Sequence, residues 1–239
     1  SKKWLGSLGV ENYFEGLIKN VNYEARNTSE YKNEGNNTEL HTALGYFAKI
    51  PLFKEDFIKK NIHSLTPKFL LRYAPGHMRK AEGGRLNYGN LFNLNKVNQL
   101  DVVEPGLSTS IGFEYKKNEL DDSNTIGEEI VSFSVGQVIN EKENMDIPAS
   151  TSLDQRFSDV VGEAKYNLKN KINLKYNFSI DQGYKNFNYN EIGTDFIFEK
   201  ANFNLSYLQE KNHIGNQEYV KSGVDFKLNN FTELSFNTK

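Results

Sequence analysis

The stretch K-I-N-L-K-Y-N-F-S-I-D, Lys171 to Asp181, puts Ile172, Leu174, Tyr176, Phe178 and Ile180 on one face of an extended chain, with Asn173, Lys175, Asn177, Ser179 and Asp181 on the other. The period of two runs without error across all eleven residues. A half-buried soluble strand alternates in the same way. A transmembrane β-strand needs about 9–11 residues of alternation with the apolar face toward lipid, and this length fits it.

Working outward, the pattern repeats. Ala201 to Leu208 sets Ala201, Phe203, Leu205 and Tyr207 against Asn202, Asn204 and Ser206. In Val220 to Leu228, Val220, Val224, Phe226 and Leu228 with Ser222 oppose Lys221, Gly223, Asp225 and Lys227, and the charged members cannot sit in hydrocarbon. Leu107 to Tyr115 and Thr42 to Ile50 alternate as clearly. Weaker versions lie at Leu17–Arg26, Leu65–Tyr73, Ile130–Ile139, Phe157–Leu168, Ile192–Phe198 and Thr232–Thr238, which makes about eleven strands. The fold expected is all-β: an antiparallel up-and-down transmembrane β-barrel, represented in part.

Connector lengths carry the same message, because such barrels have long outer loops and short periplasmic turns. Segments 140–156, 182–189 and 211–218 are long, while 169–171, 199–201 and 229–231 are short. Segments 27–38 and 75–106 fall on the long side. Pro51 to His63 departs from this parity, being long where a short turn is expected. Pro67 and Pro105 are expected at strand beginnings, where a missing N–H is tolerated.

Composition bounds the rest. The chain has 239 residues, 37% hydrophobic, with 13 Tyr and 17 Phe against one Trp; its mean hydropathy is -0.66. Few apolar residues but many aromatic ones suit a polar lumen with aromatic rims, and also a soluble sandwich. A net charge of -2 gives no footprint for nucleic acid. There is no cysteine, hence no disulfide framework or thiolate metal site. No run of 18 apolar residues offers a helical span. No Pro- or Ser-rich linker divides the chain, so one domain over residues 1–239 is expected, as a fragment of a longer chain that lacks an N-terminal periplasmic domain and terminal strands.

Chemistry finds no foothold. His41, His63, His77 and His213 are scattered without metal-ligand spacing. The pairs Asp121–Asp122 and Glu128–Glu129 point to opposite faces of a strand. Gly83-Gly84-Arg85 matches no phosphate loop, and Ser108 and Ser110 lack a nucleophile elbow. No enzyme, cofactor or metal is expected. What remains is the polar face: Asn173, Lys175, Asn177, Ser179, Asp195, Lys221 and Asp225, with Arg72, are candidates to line a water-filled lumen. The rival reading has them facing solvent outside a sandwich; strand length and loop parity favour the lumen.

Four ordered segments add a resemblance: L-T-P-K-F-L-L-R-Y-A-P-G at 65–76, N-L-F-N-L-N-K at 90–96, D-V-V-E-P-G-L-S-T-S-I-G-F-E-Y at 101–115 and F-S-V-G-Q at 133–137. With L-D-Q-R-F-S-D-V-V-G at 153–162 and Y-L-Q-E-K-N-H-I-G at 207–215, they resemble the C-terminal barrel of the LptD (OstA) family, in its alphaproteobacterial branch. The resemblance implies lipopolysaccharide assembly in the outer membrane of a Gram-negative bacterium. It implies as partners lipopolysaccharide, outer-membrane lipid, an LptE-like plug lipoprotein and a periplasmic bridge protein. The lipid-holding periplasmic domain and the cysteines of some members have no counterpart in this chain. Leu65, Pro67, Arg72, Tyr73, Leu91, Phe92, Glu104, Gly106, Gly136 and Gln137 match the family pattern, and most of them are expected to fix barrel geometry and not to contact substrate. Arg72, Lys175 and Lys221 are expected to attract phosphorylated sugars. A porin-like channel for small solutes is the alternative.

Overall fold

In the computed structural model, residues 3–27, 35–120, 125–169, 171–211, 216–229 and 232–238 are described. They build one antiparallel sheet of thirteen strands and, among the described residues, no α-helix. The strands are β1 (Lys3–Leu5), β2 (Glu11–Ala25), β3 (Gly35–Lys49), β4 (Leu52–Asp56), β5 (Asn61–Ala74), β6 (Gly106–Leu120) and β7 (Ile126–Asn140), followed by β8 (Val160–Leu168), β9 (Ile172–Ile180), β10 (Phe187–Ile197), β11 (Ala201–Glu210), β12 (Gln217–Asn229) and β13 (Thr232–Thr238). Each strand pairs with its sequence neighbour, apart from β4, which lies beside β5 off the main path. The up-and-down topology follows from connectors that carry each strand back against the last.

All eleven expected strands are present. Two are additional, and each has a reason for escaping a search by period. β1 has only three residues. β4 follows the Ile50–Pro51 joint and opens with two consecutive apolar residues, so no alternation begins.

β4 also corrects the reading of 51–63 as a long connector. Lys49 faces Lys68 and Leu52 faces Leu65, so the register against β5 runs unbroken through the joint. β4 is therefore the continuation of β3, and the true turn is the short segment 57–60. Pro67 is a second correction, for it sits inside β5 and not at its start. Its carbonyl accepts the Ile50 N–H at 3.1 Å, so its own missing N–H points to the same edge, at the joint where Pro51 also cannot donate. Pro67 thus leaves one gap in the β3–β5 ladder, while the missing N–H of Pro51, one residue on from Ile50, faces the other edge. The connectors at 27–38, 169–171, 211–218 and 229–231 lie partly outside the described residues.

Register divides the sheet into two unlike faces. Across β5, β6 and β7, Leu65–Tyr115–Phe133, Pro67–Phe113–Val135 and Phe69–Ile111–Gln137 stand side by side. On this bare face Leu40, Leu44, Phe14 and Ile18 are left exposed, as are Leu174, Ile192, Phe203, Leu205 and Phe236 further round. A row of exposed apolar side chains this long is what lipid, not water, accommodates. Below the band the bare face turns polar at Lys54, His63 and Lys117, which places the membrane boundary near Leu65 and Tyr115.

The opposite face is covered over much of its area by two connectors. Segment 75–105, the strap, and segment 141–159 both leave the long-loop end and fold back onto the sheet. Met78, Leu86, Leu91, Val97 and Val102 of the strap bury against Val138 and Val161 of the wall, with Ile147 and Leu153 of the second loop. Leu94 and Val103 bury against Ala43, Phe47, Leu70 and Ala74. The hydrophobic core of this chain therefore lies between the strap and the wall.

Candidate functional site

The strap is seated by sequence features that look unrelated until folded. Gly112 and Gly136 face each other on β6 and β7. Their missing side chains admit Leu91 and Phe92, since a Cβ on Gly136 would stand 2.4 Å from the Leu91 Cδ2 and one on Gly112 3.3 Å from the Phe92 ring. The Ser110 hydroxyl then donates to the Leu91 carbonyl at 2.8 Å. Gly106, at φ +103°, makes the turn out of the strap into β6 that other residues adopt only with strain.

Arg72 is the central fastening. Its Nε donates to the Leu94 carbonyl at 2.6 Å and its Nη2 to the Glu104 carbonyl, while the Glu104 carboxylate lies 3.6 Å away. The side chain is 1% exposed. Glu104 also accepts the Lys96 backbone N–H at 2.9 Å, and the Lys96 Nζ lies 3.9 Å from it and 3.4 Å from the Ser108 hydroxyl. Two cations and one carboxylate are thus enclosed together. Burial pushes the Lys96 ammonium down to about 7, with Glu104 opposing that shift and Arg72 adding to it.

The sign of the resulting pH dependence follows. Between about pH 7 and the ordinary lysine range, the folded strap binds fewer protons at Lys96 than the released strap does. Stability therefore rises with pH through that window and is flat below it. Lys96→Met, which removes the enclosed ammonium and leaves Arg72 and Glu104 paired, is expected to leave the strap at least as stable as wild type at pH 7. It is also expected to abolish the rise in melting temperature between pH 7 and 10, read from thermal unfolding of the two proteins in detergent.

At its ends the strap is tied across the width of the sheet. The Arg79 Nε donates to Glu39 on β3 at 2.7 Å, with its guanidinium 4.7 Å above the Tyr23 ring, and the Lys19 Nζ donates to the Gln99 carbonyl at 2.8 Å. On the other side the Arg85 guanidinium meets Glu210 of β11 at 2.5 Å and stacks on the Tyr189 ring of β10 at 3.9 Å. Lys96 stands in the segment 90–96 that carries the resemblance and Arg85 beside Gly83 and Gly84, but no sequence pattern gives either of them, or Arg79, a role in holding the strap.

The candidate polar residues divide accordingly. Asn173, Lys175, Asn177 and Ser179 face Asn167, Lys165, Glu163 and Val161 on β8, and lie on the covered face together with Asp195, Lys221 and Asp225. Lys175, Asp195 and Lys221 are exposed. Ser179 is not open: it is 2% exposed and donates to the Asp159 carboxylate at 2.6 Å beneath the second loop. Arg72 is likewise enclosed, and its donors are engaged with the strap, which removes it as a contact for phosphorylated sugars. Leu65 and Tyr73 lie on the bare face, and so does Gln137, whose amide donates to the Ser158 carbonyl at 2.7 Å where the pairing of β7 with β8 ends. Of the histidines, His63 bonds the Tyr115 hydroxyl at 2.8 Å and His41 lies 3.4 Å from Glu39. His213, Asp121 and Asp122 lie outside the described residues.

No curated protein matches the chain. Among solved structures, two mutants of Rh. blastica porin are similar. One has 7% identity and a TM-score of 0.31, covering 95% of this chain and 92% of the porin. The other has 8% identity and a TM-score of 0.32, covering 94% and 92%. The sequence profile of the family described as LptD, LPS transport system D, matches residues 52–238. Those residues run from β4 to β13 and contain the strap and its fastenings. The chain belongs to the LptD family, whose members assemble lipopolysaccharide in the outer membrane of Gram-negative bacteria.

Proposed function

We propose that the thirteen strands are part of the wall of a larger barrel, a single domain whose covered face lines an aqueous lumen. Lipopolysaccharide reaches it from a periplasmic bridge protein; the sugar head crosses inside while the acyl chains leave sideways through a weakly paired seam into outer-membrane lipid. An LptE-like lipoprotein occupies the lumen beside the strap. The observation that carries this reading is the contrast of faces on one set of strands: exposed apolar side chains on one side, with Lys175, Asp195 and Lys221 open on the other. A charge in contact with hydrocarbon is costly, so the polar face needs water inside a closed wall.

The test is replacement of the native protein in cells by a version under shut-off control. Depletion is expected to lower lipopolysaccharide at the cell surface several-fold, and the tagged protein is expected to bring down one small lipoprotein in equal amount. Unchanged surface lipopolysaccharide with reduced uptake of small solutes would move the assignment to a porin-like channel.

A further inference from the structure

The pairing registers place residues in rows that run across the strands, and one row of the covered face has an unusual composition. Asn167 faces Asn173, Asn173 faces Asp195, Asp195 faces Asn204, Asn204 faces Gly223, and Gly223 faces Asn237. From β8 to β13 every member is an amide, a carboxylate or glycine. Neighbours in such a row stand about 5 Å apart, close enough for one polar molecule to touch several at once. At Gly223 the row closes up: a Cβ there would stand 2.3 Å from the Asn237 Oδ1 and 2.7 Å from the Asn204 Nδ2, so glycine lets two amides converge above the backbone.

The next row toward the long-loop end is basic. Lys165 faces Lys175 directly, and Lys175 is followed by Gly193, Ser206 and Lys221. Two like charges set opposite each other destabilise a sheet, and Lys165 has its partner in Glu163 at 2.5 Å while Lys175 is exposed. Between Lys175 and Lys221 stand only the small residues Gly193 and Ser206, and the Lys221 ammonium lies over the Tyr219 ring at 5.0 Å. Glu191, one row above, is engaged by Asn177 and the Tyr189 hydroxyl.

Both rows lie where the described loops do not reach. The strap and the second loop enclose Ser179, Asn188, Tyr189 and Glu210, toward the long-loop end of β9 to β11, whereas Asp195 and Lys175 are exposed. Amides and carboxylates both bond hydroxyls, the chemistry that recognises a saccharide, and lysines provide point charges for phosphate. We infer that this wall, the amide row with the lysine row beside it, is the track along which the phosphorylated saccharide head of the cargo moves. The inference rests on the lumenal passage proposed above and specifies its side.

The test is photo-crosslinking in living cells, with a photoreactive amino acid placed in the full-length protein at Asn173 or Asn204, at Glu15 on the covered face of β2, and at Leu205 on the bare face. The probe is the lipopolysaccharide of the cell, detected on the crosslinked band. Adducts at 173 and 204 several-fold stronger than at 15 and 205 are expected. Equal adducts at 15 and 204 would overturn the track and leave lumenal passage standing. Adducts at 205 with none at any covered-face position would overturn both. Asn173→Leu with Asn204→Leu is expected to lower surface lipopolysaccharide several-fold at an unchanged level of folded barrel; unchanged surface lipopolysaccharide would count against the track.

Discussion

Arg72→Met is expected to release the strap from the wall and to cost about 2–6 kcal/mol, because two enclosed carbonyls lose their donor and each costs about 1–3 kcal/mol when left unsatisfied. The guanidinium holds the carbonyls of Leu94 and Glu104 and faces the Glu104 carboxylate, with its own side chain 1% exposed. Methionine fills the volume and supplies none of the donors. Glu104 would then retain Lys96 as its only enclosed cation, which favours the charged form of that lysine. Trypsin reads the outcome, since Arg79, Lys80 and Arg85 stand in the strap. Wild-type protein in outer-membrane vesicles should resist cleavage at these sites, and the variant should be cut there at a rate tens-fold higher while the strands stay intact. Equal resistance in the two proteins would mean that the apolar contacts of Leu91, Leu94 and Val97 hold the strap without Arg72.

Gly136→Val is expected to prevent assembly of the folded wall. A Cβ at this position would stand 2.6 Å from the Ile111 carbonyl oxygen and 3.1 Å from the Gly112 Cα, so the obstruction is backbone and not the movable end of a side chain. Leu91, 2.4 Å away, would also be displaced from the notch it fills. Overpacking of this kind costs about 3 kcal/mol or more, and here it acts on sheet pairing and strap docking together. Gly16→Ala is the matched control, because its Cβ meets only the Leu44 Cδ2 at an ordinary 3.5 Å. Folded protein in the outer membrane should fall to a small fraction of wild type for Gly136→Val and stay near wild type for Gly16→Ala. Normal levels of Gly136→Val with an unchanged melting temperature would contradict the close approach of β6, β7 and the strap at this glycine.

Strand positions were readable because a two-faced strand must alternate, and lipid on one side with water on the other makes the alternation strict. The stretch from Lys171 to Asp181 is the clearest case, and the observed strand, Ile172–Ile180, lies one residue inside it at each end. Where that constraint lapses, so does the signal. β4 lies below the apolar band, where the bare face carries Lys54 and Asp56, and its start is masked by Pro51. The docking of the strap was unreadable for a different reason, although the resemblance marks Leu91, Phe92 and Glu104 within it. Its residues pack singly, with no period, and Arg72 binds carbonyls 22 and 32 residues away whose positions no local pattern encodes. The same side chain therefore reads both as a lumenal cation and as a residue fixing barrel geometry, and its bonds to the strap accord with the second. Lys175, Asp195 and Lys221 are exposed, since no described connector folds over their part of the wall.

The most direct measurement is a cysteine scan along β9 in the full-length protein, held in the outer membrane. Residues 1–239 hold no cysteine, so each substitution adds one site, read against the labelling of the unsubstituted full-length protein. A membrane-impermeant maleimide should label cysteines at 173, 175 and 177 and leave 172, 174, 176 and 178 unlabelled, with the unlabelled set quenched instead by spin-labelled lipid. Labelling of both sets from water, or quenching of neither, would contradict a wall with lipid on one face and an aqueous lumen on the other.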